Sequence, residues 1–266
     1  MQSKRALRIP RVLCLELPTT DKAVLVDAEE AAHLQQVLRL RDDSPVIALD
    51  GRGKAISARY FIREKKPYIQ ATEKSPSESR TPEQEQGSLV LEVALMKGDA
   101  MSWVIEKSVE LGARRVVPVI TDHAVVQLDK KGAEHFIERW QRIADQSLKQ
   151  CERLNRLTVD APCSLEELLR RPSLKSPPRK VALEPKGRGS WPGPISAISS
   201  SIFRGPEEKS VLIGPEGGWS SHELDLFHAE ARSGRLHALD LGPLVLRAET
   251  AAVLTLSCAL EAMLNS

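Results

Sequence analysis

The chain has 266 residues, 41% of them hydrophobic and 28% charged, with a formal net charge of +2. That is the composition of a soluble globular protein, long enough for two modest domains or one large one. Four cysteines (Cys14, Cys151, Cys163, Cys258) stand far apart with no CxxC pair, which argues against a zinc site and a disulfide scaffold, and no metal is expected. No apolar stretch is long enough to span a bilayer, and residues 1–10 are basic without the apolar core of a signal peptide, so the expected setting is a reducing cytoplasm with no membrane attachment.

Residues 8–72 read as short strands with turns: 24–26, 46–49 and 55–61 are strand-like, and Asp50-Gly51 is a hairpin signal. One helix over 27–38 interrupts them, with Asp27 and Glu30 spaced as a capping box. Residues 1–75 hold 14 Lys and Arg against 10 Asp and Glu, so the positive excess lies in this part. Arg8, Arg11, Arg39 and Arg41 are its candidate phosphate contacts. Arg39 and Arg41 flank Leu40 and share a face if the segment is extended. A solvated rim explains them equally well. Aromatic residues are only 4% of the chain, which argues against broad stacking platforms. Residues 74–87, rich in Ser, Pro, Glu and Gln, read as a linker. The expected layout is a β domain over 1–73, that linker, and a second domain over 88–266.

From residue 88 strands and helices alternate, the pattern of an α/β sheet. Residues 89–96 form a strand. Asp99 caps a helix that Gly112 ends. Residues 116–120 are a second strand, and apolar positions from Ala133 to Cys151 make one continuous helical face. Residues 165–169 are a short helix and 181–183 a third strand. The Gly/Pro/Ser-rich stretch 185–206 reads as loop with one short helix around Ile195.

Two segments near the end carry the most information. Residues 211–213 are a buried strand, broken by Gly214-Pro215-Glu216-Gly217-Gly218, after which Ser220 and Glu223 form a capping box. Residues 239–241 lead into Gly242-Pro243, then Leu244-Val245-Leu246, Arg247-Ala248-Glu249-Thr250 and an apolar helix. Each turn aims bare backbone and a helix start at the carboxyl end of a strand, where α/β sheets bind ligands. A plain strand-to-helix turn without ligand fits the first segment alone. Arg247 at a helix start opposes the macrodipole, whereas Glu249 is favoured there.

In that order, LIGPEGG and LGPLVLRAETA resemble the SPOUT methyltransferases, and more narrowly the RsmE family of bacterial 16S ribosomal RNA uridine-N3 methyltransferases. Residues 96–118, 139–153, 8–11 and 33–53 resemble the rest of that family in order, covering nearly the whole chain. The resemblance implies an α/β fold: a small amino-terminal PUA-like β-barrel for RNA, then a SPOUT domain with a parallel sheet and a carboxyl-terminal trefoil knot. It implies S-adenosyl-L-methionine (SAM) as methyl donor, 16S rRNA of the small ribosomal subunit as partner, and a homodimer. Leu183, Glu184, Gly214, Pro215, Glu216, Gly217, Gly218, Leu241, Gly242, Leu244, Leu246 and Thr250 are then the donor-binding positions. Arg247 and Glu249 are the candidates beside the reacting groups: Arg247 to orient uracil, Glu249 to take a proton or to order Arg247. Glu216 is either a ligand contact or a brace of its turn. Leu244 stands where the family usually has Arg, and Thr121-Asp122-His123 where it has Thr-Glu-Arg. The Leu244 departure keeps open a second reading, an inactive RNA-binding module of the same fold.

Overall fold

The computed structural model describes residues 8–14, 16–80, 89–124, 130–171, 179–205 and 207–265. The chain divides into two compact units, Met1–Glu85 with Leu148–Arg156 and Gln86–Ser147 with Leu157–Ser266.

The first unit contains β1 (Arg11–Leu13), β2 (Val24–Leu25), α1 (Ala28–Ala32) running into a π-helical turn His33–Val37, β3 (Ser44–Leu49), β4 (Lys54–Arg63), β5 (Lys66–Ala71) and β6 (Glu78–Ser79). Its mixed sheet has the order β1-β3-β4-β5-β2, with β6 on β4. Only the β1–β3 pair is parallel. Inward residues Val12, Leu34, Val46, Tyr60 and Ile69 make its core. Asp50 anchors the β3–β4 turn by accepting from the amides of Arg52 and Lys54. Half of the expected capping box on α1 forms: Asp27 Oδ1 accepts from Glu30 N at 2.9 Å. The Glu30 carboxylate turns instead to Lys149, a buried pair within this unit. Part of the expected linker is also structured. Glu78–Ser79 pairs antiparallel with Lys54 and Ala55, and Arg80 N donates to Gly53 O. Residues 81–87 lie outside the described residues.

The second unit is an α/β sheet. In chain order it has β7 (Leu89–Ala94), α2 (Ala100–Glu110), β8 (Arg115–Ile120), α3 (Lys130–Gln150), β9 (Thr158–Val159), β10 (Cys163–Ser164) and α4 (Leu165–Arg170), then β11 (Arg179–Ala182), β12 (Ile195–Ala197), β13 (Lys209–Ile213), α5 (Ser221–Arg232), β14 (Leu236–Asp240) and α6 (Ala248–Leu264). The last residues of α3 belong to the first unit. The strand order is β10-β8-β7-β13-β11-β14-β12, with β9 on β8, and every pair is parallel. Parallel strands are covered on both faces, which is why all six residues of β7 are buried. One face packs Val90, Val181 and Leu212 against Leu165, Leu168 and Phe227. Helix α6 packs against β7 and β13 beside α2.

Two expectations are corrected. Asp99 sits at the start of α2, but its side chain makes no capping bond and reaches Arg139 at 3.7 Å. Ile195 lies not on a helix but on the edge strand β12, paired with β14, and 3-10 turns flank it at Pro185–Arg188 and Ser200–Phe203.

Candidate active site

The carboxyl ends of β11, β13 and β14 lie side by side in the parallel sheet, and both glycine turns leave from there. The first turn follows Ile213. Gly218 adopts φ +73°, a conformation that suits glycine, and its amide donates to Pro215 O at 3.0 Å. Trp219 folds back over the start of the turn. Its indole Nε1 donates to Ala182 O at 3.0 Å, and a Cβ on Gly214 would lie 2.7 Å from the ring. The ring also meets Phe227 edge-on at 4.8 Å, which fixes the turn to the core.

Helix α5 then starts with a full capping box. Ser220 Oγ accepts from Glu223 N at 3.1 Å, and Glu223 accepts from Ser220 N at 2.8 Å. The segment after β8 clamps the same corner. Asp122 N donates to Glu223 at 3.0 Å, Ser220 Oγ donates to Asp122, and His123 Nδ1 lies 2.9 Å from Gly218 O. A Cβ on Gly217 would stand 3.2 Å from His123 Cβ. The His at the family's usual Arg position is therefore a brace of the first turn.

The second turn is held by a different lock. Asp240 Oδ1 accepts from Gly242 N at 2.8 Å, and Gly242 adopts φ +110°. Arg188 pairs with Asp240 at 2.7 Å and donates to Gly242 O. The stretch that carries Arg188 is thereby tied to the turn after β14.

Between the turns opens a cleft of about 550 Å³, counted out to its open mouth. Leu183, Glu184, Gly214, Pro215, Glu216, Gly218, Leu241, Leu244 and Leu246, all expected from sequence, line it. Gly217, Gly242 and Thr250 do not. Ala182, Arg188, Ile213, Trp219, Val245, Ala248 and Ala251 line it in addition. Trp219 carried a signal, since it directly follows the glycine pair. Arg188 carried none, because its role depends on a return from an irregular stretch. The lining combines aliphatic residues and Trp219 with the charged Glu184, Arg188 and Glu216. Such a site suits a ligand with a flat ring for the apolar wall and polar groups fixed by backbone and charged side chains.

Arg247 is the N-cap residue of α6; its side chain is 83% exposed and lies 4.0 Å from Glu249. Glu249 is largely enclosed, and its Oε2 is buried without a hydrogen-bond partner. Neither lines the cleft. Leu244 and Val245 are exposed at its mouth. Among the described residues, no group of three His, Cys, Asp or Glu is placed to hold a metal.

The four arginines of the first unit have different situations. Arg8 donates to Glu152 at 2.8 Å and remains exposed. Arg11 is only 7% exposed and is committed to Glu78 and the Glu152 carbonyl, so it is an internal tie rather than a free phosphate ligand. Arg39 and Arg41 are exposed. They do not alternate along an extended segment: Arg39 has φ +51°, and Leu40 N donates back to Leu34 O, closing the helix.

The RNA methyltransferase domain model matches residues 82–260. The chain belongs to this RNA methyltransferase family. Its relatives include the ribosomal RNA small subunit methyltransferase E of Bacillus subtilis, 31% identical, with 87% of each chain covered. The protein of that name from Synechocystis is 27% identical over 92% of this chain and 75% of its own. Among solved structures, a methyltransferase from Legionella pneumophila with bound SAM is 25% identical, with a TM-score of 0.80 and coverage of 96% of this chain and 98% of that one. A ribosomal RNA small subunit methyltransferase E from Neisseria gonorrhoeae bound to S-adenosyl methionine is 25% identical, with a TM-score of 0.74 and coverage of 94% and 96%.

Proposed function

We propose that this chain is a SAM-dependent methyltransferase that acts on N3 of a uridine in 16S rRNA of the small ribosomal subunit. The observation that carries the reading is the cleft between two glycine turns at adjoining strand ends, in a chain of the RNA methyltransferase family whose structural relatives hold SAM in crystals.

The residues present fit such a donor. Leu183, Ile213, Leu246 and Ala251 supply apolar walls for an adenine ring, and the main chain of Gly214–Gly218 and Leu241–Leu246 supplies donors and acceptors. SAM, when bound, supplies a methyl group already activated by its sulfonium. What remains for the protein is to hold both reactants in line and to remove the N3 proton. Glu249 is assigned as the proton acceptor; it does not line the cleft as it stands, so the role requires its carboxylate to turn toward the bound base. Arg247, beside it, orients the uracil oxygens and offsets negative charge as the proton leaves. The two turns would hold SAM for transfer of its methyl group to N3, and the N3 proton would pass to the Glu249 carboxylate. The uridine reaches the cleft unpaired or flipped from its stack. Both turns are formed despite Leu244, which favours an active enzyme over an inactive binding module.

The rest of the family's architecture belongs to the same reading. The β domain over 1–73 is PUA-like and binds the RNA, residues 74–87 join it to the methyltransferase domain over 88–266, and the carboxyl-terminal segment threads a trefoil knot. The working form is a homodimer in the cytoplasm. Light scattering should give twice the 29.4 kDa chain mass. The activity is tested with tritiated SAM and small subunits that lack the modification. Label should co-elute with 3-methyluridine after digestion to nucleosides. Label on a ribose or on another base would refute the assignment.

A further inference from the structure

The outward face of the β4–β5 hairpin carries side chains that the cleft does not use. Along β4, Arg59, Phe61 and Arg63 alternate with buried Ala58 and Tyr60, so they stand opposite the core. Gln70, Tyr68 and Lys66 of β5 are their cross-strand partners, and Leu25 of β2 is the partner of Tyr68. The Phe61 and Tyr68 rings are stacked, with centroids 6.0 Å apart and planes 14° from parallel. The Arg63 guanidinium lies 4.6 Å from the Phe61 ring centroid. Leu25 is 51% exposed and Phe61 and Tyr68 are half-buried, so the strip Leu25–Tyr68–Phe61 crosses three strands at the surface.

The hairpin tip adds charge. Glu64 and Lys65 hold φ of +50° and +63°, the two left-handed positions of a two-residue hairpin turn. Asn-Gly takes that geometry without strain, whereas this tip keeps charged side chains there. Among the described residues, Arg63, Lys65 and Lys66 have no carboxylate within ion-pair distance. Arg59 is partly engaged, donating to Asp43 O at 2.8 Å. Flat rings beside unpaired cations complement a base beside its phosphate, and the cations disfavour a purely apolar partner.

We propose that this face is a stacking platform for unpaired nucleotides of RNA: bases lie on Tyr68 and Phe61, and phosphates meet Arg63, Lys65 and Lys66. The proposal rests on RNA being the substrate.

The test uses the full chain in two double variants, Phe61→Leu with Tyr68→Leu and Arg63→Gln with Lys66→Gln, each checked by thermal melting. Binding of a fluorescent single-stranded oligouridylate is followed by anisotropy at several salt concentrations, and SAM binding by calorimetry. The ring variant should lose roughly tenfold or more in RNA affinity with an unchanged salt slope. The charge variant should lower the slope by about 0.7 per lost phosphate contact. SAM affinity should stay constant in both. RNA affinity and slope unchanged in the charge variant, which removes only exposed side chains, would overturn the proposal. So would wild-type protein that methylates subunits but does not bind the oligonucleotide. Binding loss confined to intact subunits would assign the face to a ribosomal protein. If RNA binding follows the rings but no methyl transfer occurs, the platform stands and the enzymatic reading fails.

Discussion

Gly218 is where backbone geometry and ligand chemistry meet. Its φ of +73° admits glycine readily, and a Cβ there would stand 2.6 Å from Glu184 Oε1. Glu184 can swing aside, so the backbone strain is the larger cost, about 1–3 kcal/mol for a β-branched residue. Gly218→Val should therefore lower SAM affinity at least ~tenfold in calorimetry, a shift of about 1.4 kcal/mol, and leave RNA binding near wild type. Equal loss of both would point to general unfolding. A second residue-scale effect is electrostatic. Glu92 is buried in β7 and bonded to Arg179 at 2.6 Å. Burial pushes its pKa above the ordinary 4.5, and the Arg179 guanidinium acts against that rise. Removing the partner in Arg179→Met should destabilise the protein by about 3–5 kcal/mol at pH 8, where an unpaired carboxylate is buried. A folded-state pKa raised above the unfolded value contributes stability that is present at low pH and lost as pH rises through it. The gap to wild type should accordingly narrow between pH 8 and pH 5.5 in urea titrations. A constant gap would contradict the account.

At the scale of elements, the corner joining β8, the first turn and α5 is a single hydrogen-bonded unit. Ser220→Ala removes both the cap of α5 and the Asp122 contact, and should cost about 1–2 kcal/mol with a lower melting temperature. The Ser220 and Glu223 pair was readable from spacing alone, as were β7, β8, β11 and β13, because strands buried on both faces must be apolar runs. The short edge elements were not. β6 lies in a polar stretch and β12 in a Gly/Pro/Ser-rich one, and both are held by main-chain pairing that needs no apolar pattern. The helix after Asp27 was readable, but the Glu30 carboxylate found a stronger partner in Lys149, more than a hundred residues away. Distant partners also explain Arg188 and Trp219: local spacing reports helix faces and caps, not the return of a loop onto a remote turn. Arg39 shows the converse. Its neighbours suggest an extended pair, while the structure uses it to close a helix in a left-handed conformation.

For the molecule as a whole, the proposed function assigns a different task to each unit. A parallel sheet ends in a cleft built from main chain, and a mixed sheet presents aromatic and basic side chains outward. In the proposed enzyme the backbone of two bends clasps the methyl donor. A crystal structure of the protein grown with SAM tests it most directly. The ligand should lie between Gly214–Gly218 and Leu241–Leu246, with its adenine against Leu183 and Leu246. Density for it at any other place, or those bends packed together with no space between them, would contradict the account.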